Sequence, residues 1–293
     1  MVRIQTFLTN FIKSILSLIK IVLYSRFSVQ IKKSPQSKEC VILANGPSLN
    51  DAINKQSLFL KNKALYCVNL FALTSYYEQF QPSGYVISAP EFFINDVSEE
   101  VAKTGEHLLK TINQKTTWDL TLYILNEASK NTDWQQEIKK NPRIKIVFFN
   151  QTPVEGWKWF RHIFFKWNLG LPRPHNVVVP SIMVALNSGY RIIYLMGVDH
   201  SWLPETMVDE NNRVFLTQKH FYDAQSATPQ IMRKKGKGER RLHEVLMKFV
   251  YSFEAYFILR TYAESLGAKI FNTTKDSFID AFDRMTIGEI GKS

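Results

Sequence analysis

Asn45-Gly46-Pro47-Ser48 carries the densest chemical signal in the sequence. A short apolar run, Val41–Leu43, reads as a buried strand that stops at this small-residue turn. Gly46 permits a close backbone approach, Pro47 suits a turn or a first helical position, and Ser48 and Asn50 can cap a following helix. Strand, tight turn and helix N-terminus together make a seat for a phosphate or a nucleotide. An ordinary strand-to-helix turn has the same pattern.

The elements that would hold this turn follow along the chain. Strands are expected at Ala64–Leu70, Tyr85–Ser88, Leu122–Leu125, Ile144–Phe149, Ile192–Met196 and Ala268–Phe271. Helices are expected at Ser181–Ser188, stopped at Gly189, and at Val245–Leu266, capped by Gly267. Alternating strands and helices predict an α/β fold with a doubly wound, mainly parallel sheet. Such sheets bind ligands beyond the carboxyl ends of their strands. Residues 200–242 break the alternation and carry the basic cluster Arg233, Lys234, Lys235, Lys237, Arg240 and Arg241. A connection this long is expected to be a lid over the strand ends.

The formal net charge of +11 points to acidic partners: nucleotides, anionic lipid or nucleic acid. No helix-turn-helix or stacking-aromatic motif supports nucleic acid, which is not expected as a partner. Cys40 and Cys67 sit in apolar runs without metal-ligand spacing, so they read as reduced core residues of a cytosolic protein. Residues 1–38 contain no Asp or Glu. On a helix, Asn10, Lys13, Ser17 and Lys20 share one face, and Leu8, Phe11, Ile12, Ile15, Ile19, Val22 and Leu23 the other. Residues 1–33 are therefore expected to form an amphipathic, membrane-associating helix and linker on an anionic surface, followed by a catalytic domain over 38–293. A helix packed on the domain itself, or on a partner, has the same composition.

Three stretches together resemble bacterial sialyltransferases of glycosyltransferase family 42 and the wider Rossmann-like group that includes flagellin-modifying glycosyltransferases. They are Ala44-Asn45-Gly46-Pro47-Ser48-Leu49, Val68-Asn69-Leu70, and Gly189-Tyr190 followed by the strand that ends in Gly197-Val198-Asp199. The chain departs from the group with Ala44 where Gly is common and with Ser88-Ala89-Pro90 where Asn-Pro is common. The resemblance implies a Rossmann-like fold, a CMP-activated acidic ketose such as sialic acid, inversion at the anomeric carbon, and no cofactor or essential metal. No Asp-x-Asp triplet is present, which accords with a phosphomonoester leaving group.

Glycosyl transfer needs a stabilised leaving phosphate, a base for the acceptor hydroxyl and a donor held in line. Asn45, Gly46, Pro47 and Ser48 are expected at the nucleotide, Asn69 at the donor sugar or ribose, and Ser181 at a helix N-terminus facing the nucleotide. Gly197 would admit a base or ribose, and Asp199 would bind ribose or orient a neighbour. Tyr222 or a lid lysine would meet the leaving phosphate. Arg173 is the nearest arginine for a sugar carboxylate. The base is expected to be a histidine: His243 at the start of the long helix, or its rival His220, with Asp199 or His200 as further options. The function so read is a cytoplasmic glycosyltransferase, peripheral on the inner face of the bacterial membrane, extending a surface glycan or glycolipid. A pyrophosphokinase-like or other nucleotide-dependent transferase on the same scaffold is the alternative.

Overall fold

A computed structural model describes residues 2–33, 37–94, 97–222, 227–234 and 238–289. The Ser34–Gln36 linker and the lid lysines Lys235 and Lys237 lie outside the described residues.

Eight parallel strands form one sheet: β1 (Glu39–Leu43), β2 (Ala64–Val68), β3 (Gly84–Ile87), β4 (Leu120–Leu125), β5 (Ile144–Phe149), β6 (Ile192–Met196), β10 (Lys269–Asn272) and β11 (Asp283–Arg284). Their order is β11-β10-β6-β1-β2-β3-β4-β5. The central strands are short apolar runs buried on both faces, as parallel strands covered by helices must be. From β1 the chain adds β2 to β5 on one side, then crosses over and adds β6 on the other. The β1/β6 junction is therefore the topological switch point, where an open α/β sheet leaves a crevice for a ligand.

The helices are α1 (Val2–Tyr24), α2 (Leu49–Lys61), α3 (Tyr76–Phe80), α4 (Glu99–Lys115), α5 (Asp133–Ile138), α6 (Lys158–Lys166), α7 (Val178–Ser188) and α8 (Leu242–Ser265). All eleven residues of α7 are buried, where it packs between α8 and the strands β1 and β2. Cys40 and Cys67 are free, buried core thiols whose pKa is pushed up by burial.

The described residues of the 200–242 segment carry regular structure rather than an irregular lid. They form a small antiparallel sheet of β7 (Thr206–Val208), β8 (Val214–Leu216) and β9 (Gln230–Ile231). Val214 and Leu216 bury against Val245 and Phe249 of α8, with Trp202 beside them, so the lid has its own minor core.

The N-terminal helix packs with its polar stripe inward. Ser14, Ser17 and Ile21 are buried, and the apolar face points away from the domain. Ser17 Oγ accepts from Glu155 N at 2.9 Å and Ser14 Oγ from Trp157 N at 3.3 Å. Beyond the helix, Ser25 Oγ donates to Leu169 O at 2.6 Å. Hydrogen bonds to the 150–157 loop thus take up polar groups that an isolated amphipathic helix would turn to water.

Candidate functional site

The turn after β1 is built around a carboxylate. Ser48 precedes α2 but makes no side-chain cap. Instead its Oγ donates to Asp199 Oδ2 at 2.8 Å and its N–H to Asp199 Oδ1 at 3.2 Å. The anion seat at this helix N-terminus is filled from within by the residue that follows β6 and Gly197. A Cβ on Gly46 would lie 1.9 Å from Asp199 Oδ2 and 2.5 Å from Gly197 O. Glycine is needed there because the two loops touch, and Gly46 N donates to Gly197 O at 2.8 Å. Burial pushes the Asp199 carboxyl above its ordinary range, against the two bonds from Ser48. Asn50 does not cap α2 either; its Nδ2 donates to Phe221 O at 2.6 Å.

Above the switch point lies a cavity of about 480 Å³. Asn45, Gly46, Pro47, Asn69, Gly197 and Asp199 line it from the sheet, Asn176 from the approach to α7, Lys248 from α8, and Lys219 and His220 from the lid. Asn69 has a positive φ of 43° and accepts from Ser88 N at 3.3 Å through Oδ1, and β2 ends at Val68, two residues earlier than expected.

Two amides of the cavity wall have a buried polar atom without a partner among the described residues. Asn45 Nδ2 donates to Val68 O at 3.3 Å, which fixes the flip, and Asn45 Oδ1 is buried without a partner among the described residues. Asn176 Oδ1 accepts from Val178 N, Val179 N and Tyr256 Oη, so Asn176 Nδ2 is left as a buried donor with no partner. One unpaired acceptor and one unpaired donor thus belong to residues of the same cavity wall. Buried polar atoms are nearly always paired, and such exceptions call for a reason.

His200 sits behind Asn176. Its Nε2 lies 2.5 Å from Tyr256 Oη, and that hydroxyl donates to Asn176 Oδ1 at 3.0 Å. Nε2 must therefore carry the imidazole proton, which leaves Nδ1 as the lone-pair nitrogen. Burial pushes the His200 pKa down to about 3, so the ring is neutral at physiological pH. His175, also on the cavity wall, is pushed down to about 4 by burial and then by Lys248 and nearby arginines. Lys248 is lowered by burial and by Arg240.

The lid is latched over this cavity. Phe221 N donates to Asn45 O at 3.0 Å, Phe221 O accepts from Asn50, and the Phe221 ring is buried against Phe71 and Tyr76. The latch sets His220 on the cavity wall, where its ring stacks on Tyr222 at 5.1 Å and 6°.

Several expected residues stand elsewhere. His243 is exposed and does not line the cavity. Val245 and Phe249 anchor the inward face of α8, and His243 is displaced about 200° around the helix from Val245 at 100° per residue. Ser181 is fully buried inside α7 and donates to Val177 O at 2.7 Å. Helix α7 starts at Val178, three residues earlier than expected, with Asn176 Oδ1 accepting from Val178 N and Val179 N, so Ser181 faces no nucleotide. Ser48 and Tyr222 do not line the cavity. Arg173 pairs with Glu155 at 2.8 Å and stacks on Tyr251 at 4.2 Å, away from the cavity.

Asn176, Lys248 and Tyr256 were not anticipated from the sequence. An Asn just ahead of Val177-Val178-Val179-Pro180, with proline in a first turn, is a helix-start signal that would have marked Asn176. Among the described residues, no three of His, Cys, Asp and Glu are grouped as metal ligands.

No family model matches the chain, and no curated protein matches it. A solved structure titled as a MAf glycosyltransferase from Magnetospirillum magneticum AMB-1 is similar over 89% of this chain, at 14% sequence identity and a TM-score of 0.49. The match covers 35% of that protein's chain.

Proposed function

We propose that the chain is an inverting, metal-independent glycosyltransferase that uses a nucleotide-activated sugar, with a CMP-linked acidic ketose such as sialic acid as its donor. The observation that carries this reading is the cavity over the β1/β6 switch point, with Asn45 Oδ1 and Asn176 Nδ2 left unpaired in its wall. A ribose or a pyrimidine base presents both a donor and an acceptor and satisfies both amides. The volume of about 480 Å³ is in the range of small-molecule sites. The resemblance of residues 40–200 to family 42 sialyltransferases supports the donor class.

In this reading His220 takes the proton of the acceptor hydroxyl. That oxygen forms the new bond to the anomeric carbon as the bond to the CMP phosphate breaks and its electron pair leaves with the phosphate. Lys248, half-buried in the cavity wall, meets the growing phosphate charge. The Phe221 latch excludes water, which would otherwise consume the donor. The acceptor is a glycan or glycolipid of the bacterial surface, reached from the cytoplasmic side.

Thermal shift with CMP, UDP and ATP, followed by transfer from CMP-sialic acid to a lactose-terminated acceptor, tests the reading. A midpoint raised by CMP above the other nucleotides, with sialylated product, is expected. Stabilisation by ATP alone, with pyrophosphate transfer, would replace it with the pyrophosphokinase-like alternative.

A further inference from the structure

The docking of α1 creates a surface that the domain itself does not use. Its polar stripe is consumed by the 154–157 loop, so Phe7, Ile12, Leu16, Ile19 and Leu23 stand at least half exposed. The surface continues onto α6. The rings of Phe7 and Phe11 pack against Trp157 at 5.5 and 6.0 Å, and Trp157 stacks on Trp159 at 6.1 Å. Trp159 and Ile163 of α6 and Trp167 at its C-cap recur every four residues, with Trp159 61% and Trp167 58% exposed. An apolar sheet of this extent marks an interaction site. Exposed tryptophans beside an aliphatic helix suit the boundary between headgroups and acyl chains.

Under the edge of this surface is a second cavity of about 100 Å³, walled by Asn10 and Lys13 of α1, Glu155, Arg161, Arg173 and Tyr251. Arg161 Nε and Arg173 Nε are both buried without a partner among the described residues. Glu155 is already engaged, by Arg173 at 2.8 Å and by Lys13 at 3.6 Å. The other carboxylate on the wall, Glu254, makes no ion pair with Arg161 within 4.0 Å. Three cations, Lys13, Arg161 and Arg173, thus share two carboxylates, and Glu254 and Glu155 act on Arg161 only at longer range.

We propose that α1 and α6 form a platform lying in the surface of an anionic bilayer, and that this cavity takes the phosphate of a phospholipid headgroup through Arg161. The occupant follows from charge and shape. The platform helix and its flanks carry no Asp or Glu over residues 1–38, while α1 carries Lys13 and Lys20 and α6 carries Lys158 and Arg161. A bilayer presents acyl chains and phosphates at this spacing together. Helix α1 is long and apolar enough to cross a membrane. In this structure, however, the domain is hydrogen-bonded to the middle of the helix at Ser14 and Ser17, which holds it in the plane.

Flotation of the full-length chain with phosphatidylcholine vesicles, with or without phosphatidylglycerol, tests this without any transfer assay, so it stands or falls apart from the proposed activity. Wild type should bind the phosphatidylglycerol vesicles more tightly. Ile12→Glu together with Ile19→Glu should abolish binding to both. Arg161→Gln should cut the phosphatidylglycerol preference about fivefold and leave binding to the neutral vesicles in place. If Arg161→Gln unfolds, the wild-type salt dependence decides: part of the preference should survive high salt, because a contact in a cavity is shielded less than surface charge. Equal binding of wild type to both vesicles, an unchanged Arg161→Gln, or complete loss of preference in salt would overturn the headgroup site. So would stabilisation by inorganic phosphate without vesicle preference, which would mark a free-ion site. Resistance to carbonate extraction, or a soluble dimer that buries α1, would overturn the platform.

Discussion

Asp199 binds Ser48 twice, Oδ2 to the hydroxyl and Oδ1 to the backbone N–H, and so caps α2 from a loop 151 residues away. The pair locks the turn after β1 to the turn after β6. Both turns form the floor of the main cavity, and Asp199 also walls a neighbouring cleft of about 880 Å³ on the Ser48 side. Each carboxylate oxygen accepts one bond from Ser48, an arrangement that positions the two turns.

This pairing should show as thermodynamic coupling. Ser48→Ala and Asp199→Ala should each lower stability by about 1–3 kcal/mol, the range for a lost charged hydrogen bond and a helix cap. The double variant should lose clearly less than the sum, because either change alone breaks the hydroxyl–carboxylate bond. Urea unfolding of the four proteins reads the coupling. Strict additivity would show that the pair is incidental.

The histidine assignment is open to direct comparison. His220→Ala should reduce transfer by roughly 10²–10⁴ with donor binding nearly unchanged. His243→Ala should stay near wild type, because His243 is exposed outside the cavity. Turnover and donor affinity, measured side by side, separate the two. A crippled His243→Ala together with an active His220→Ala would reverse the assignment.

The sheet was largely legible in the sequence. The strands Ile144–Phe149 and Ile192–Met196 match their expected spans residue for residue; Ile192–Met196 is a central, almost fully buried apolar run, while Ile144–Phe149 lies at the sheet edge with Lys145 exposed. Strands β7 to β9 were not legible. They are two or three residues long, and their pairing depends on contacts with α8 that no local pattern encodes. At the site, Asn45, Gly46, Asn69 and Gly197 could be placed together because parallel register aligns strand ends. His243 was misplaced because helical rotation is set by which residues bury, and Val245 and Phe249 do so. For α1 the two faces were sorted correctly, but which face meets the domain depended on hydrogen-bond partners 138 and 143 residues away.

The lid latch should control donor hydrolysis. Phe221→Ala removes a ring buried against Phe71 and Tyr76 and should cost about 3–5 kcal/mol locally if the site cannot collapse. Asn50→Ala removes only the donor to Phe221 O and should cost about 1 kcal/mol. Both should raise the ratio of hydrolysis to transfer and speed proteolysis near residues 217–222, more strongly for Phe221→Ala. An unchanged ratio in both would mean that water exclusion does not depend on this latch.

Stability should fall on acidification through His200. In the unfolded chain this histidine titrates near its ordinary value of 6.5, whereas burial holds it at about 3 in the fold. Between these values the unfolded state binds the extra proton, so stability rises with pH. The neutral ring's contribution is complete above about pH 6.5 and is lost progressively toward pH 3. For a buried group the loss is on the order of a few kcal/mol. Asp199 acts in the opposite sense at the lower end of this range, because its raised pKa favours the fold as the carboxyl takes a proton. His162 and His175, each pushed down to about 4 by burial first, add to the His200 trend. Urea midpoints from pH 7.5 to 4.5 for wild type and His200→Gln read the effect. Glutamine keeps an N–H for Tyr256 Oη but cannot gain a proton, so its profile should be flatter over this interval. Parallel profiles would show that His200 does not carry the pH dependence.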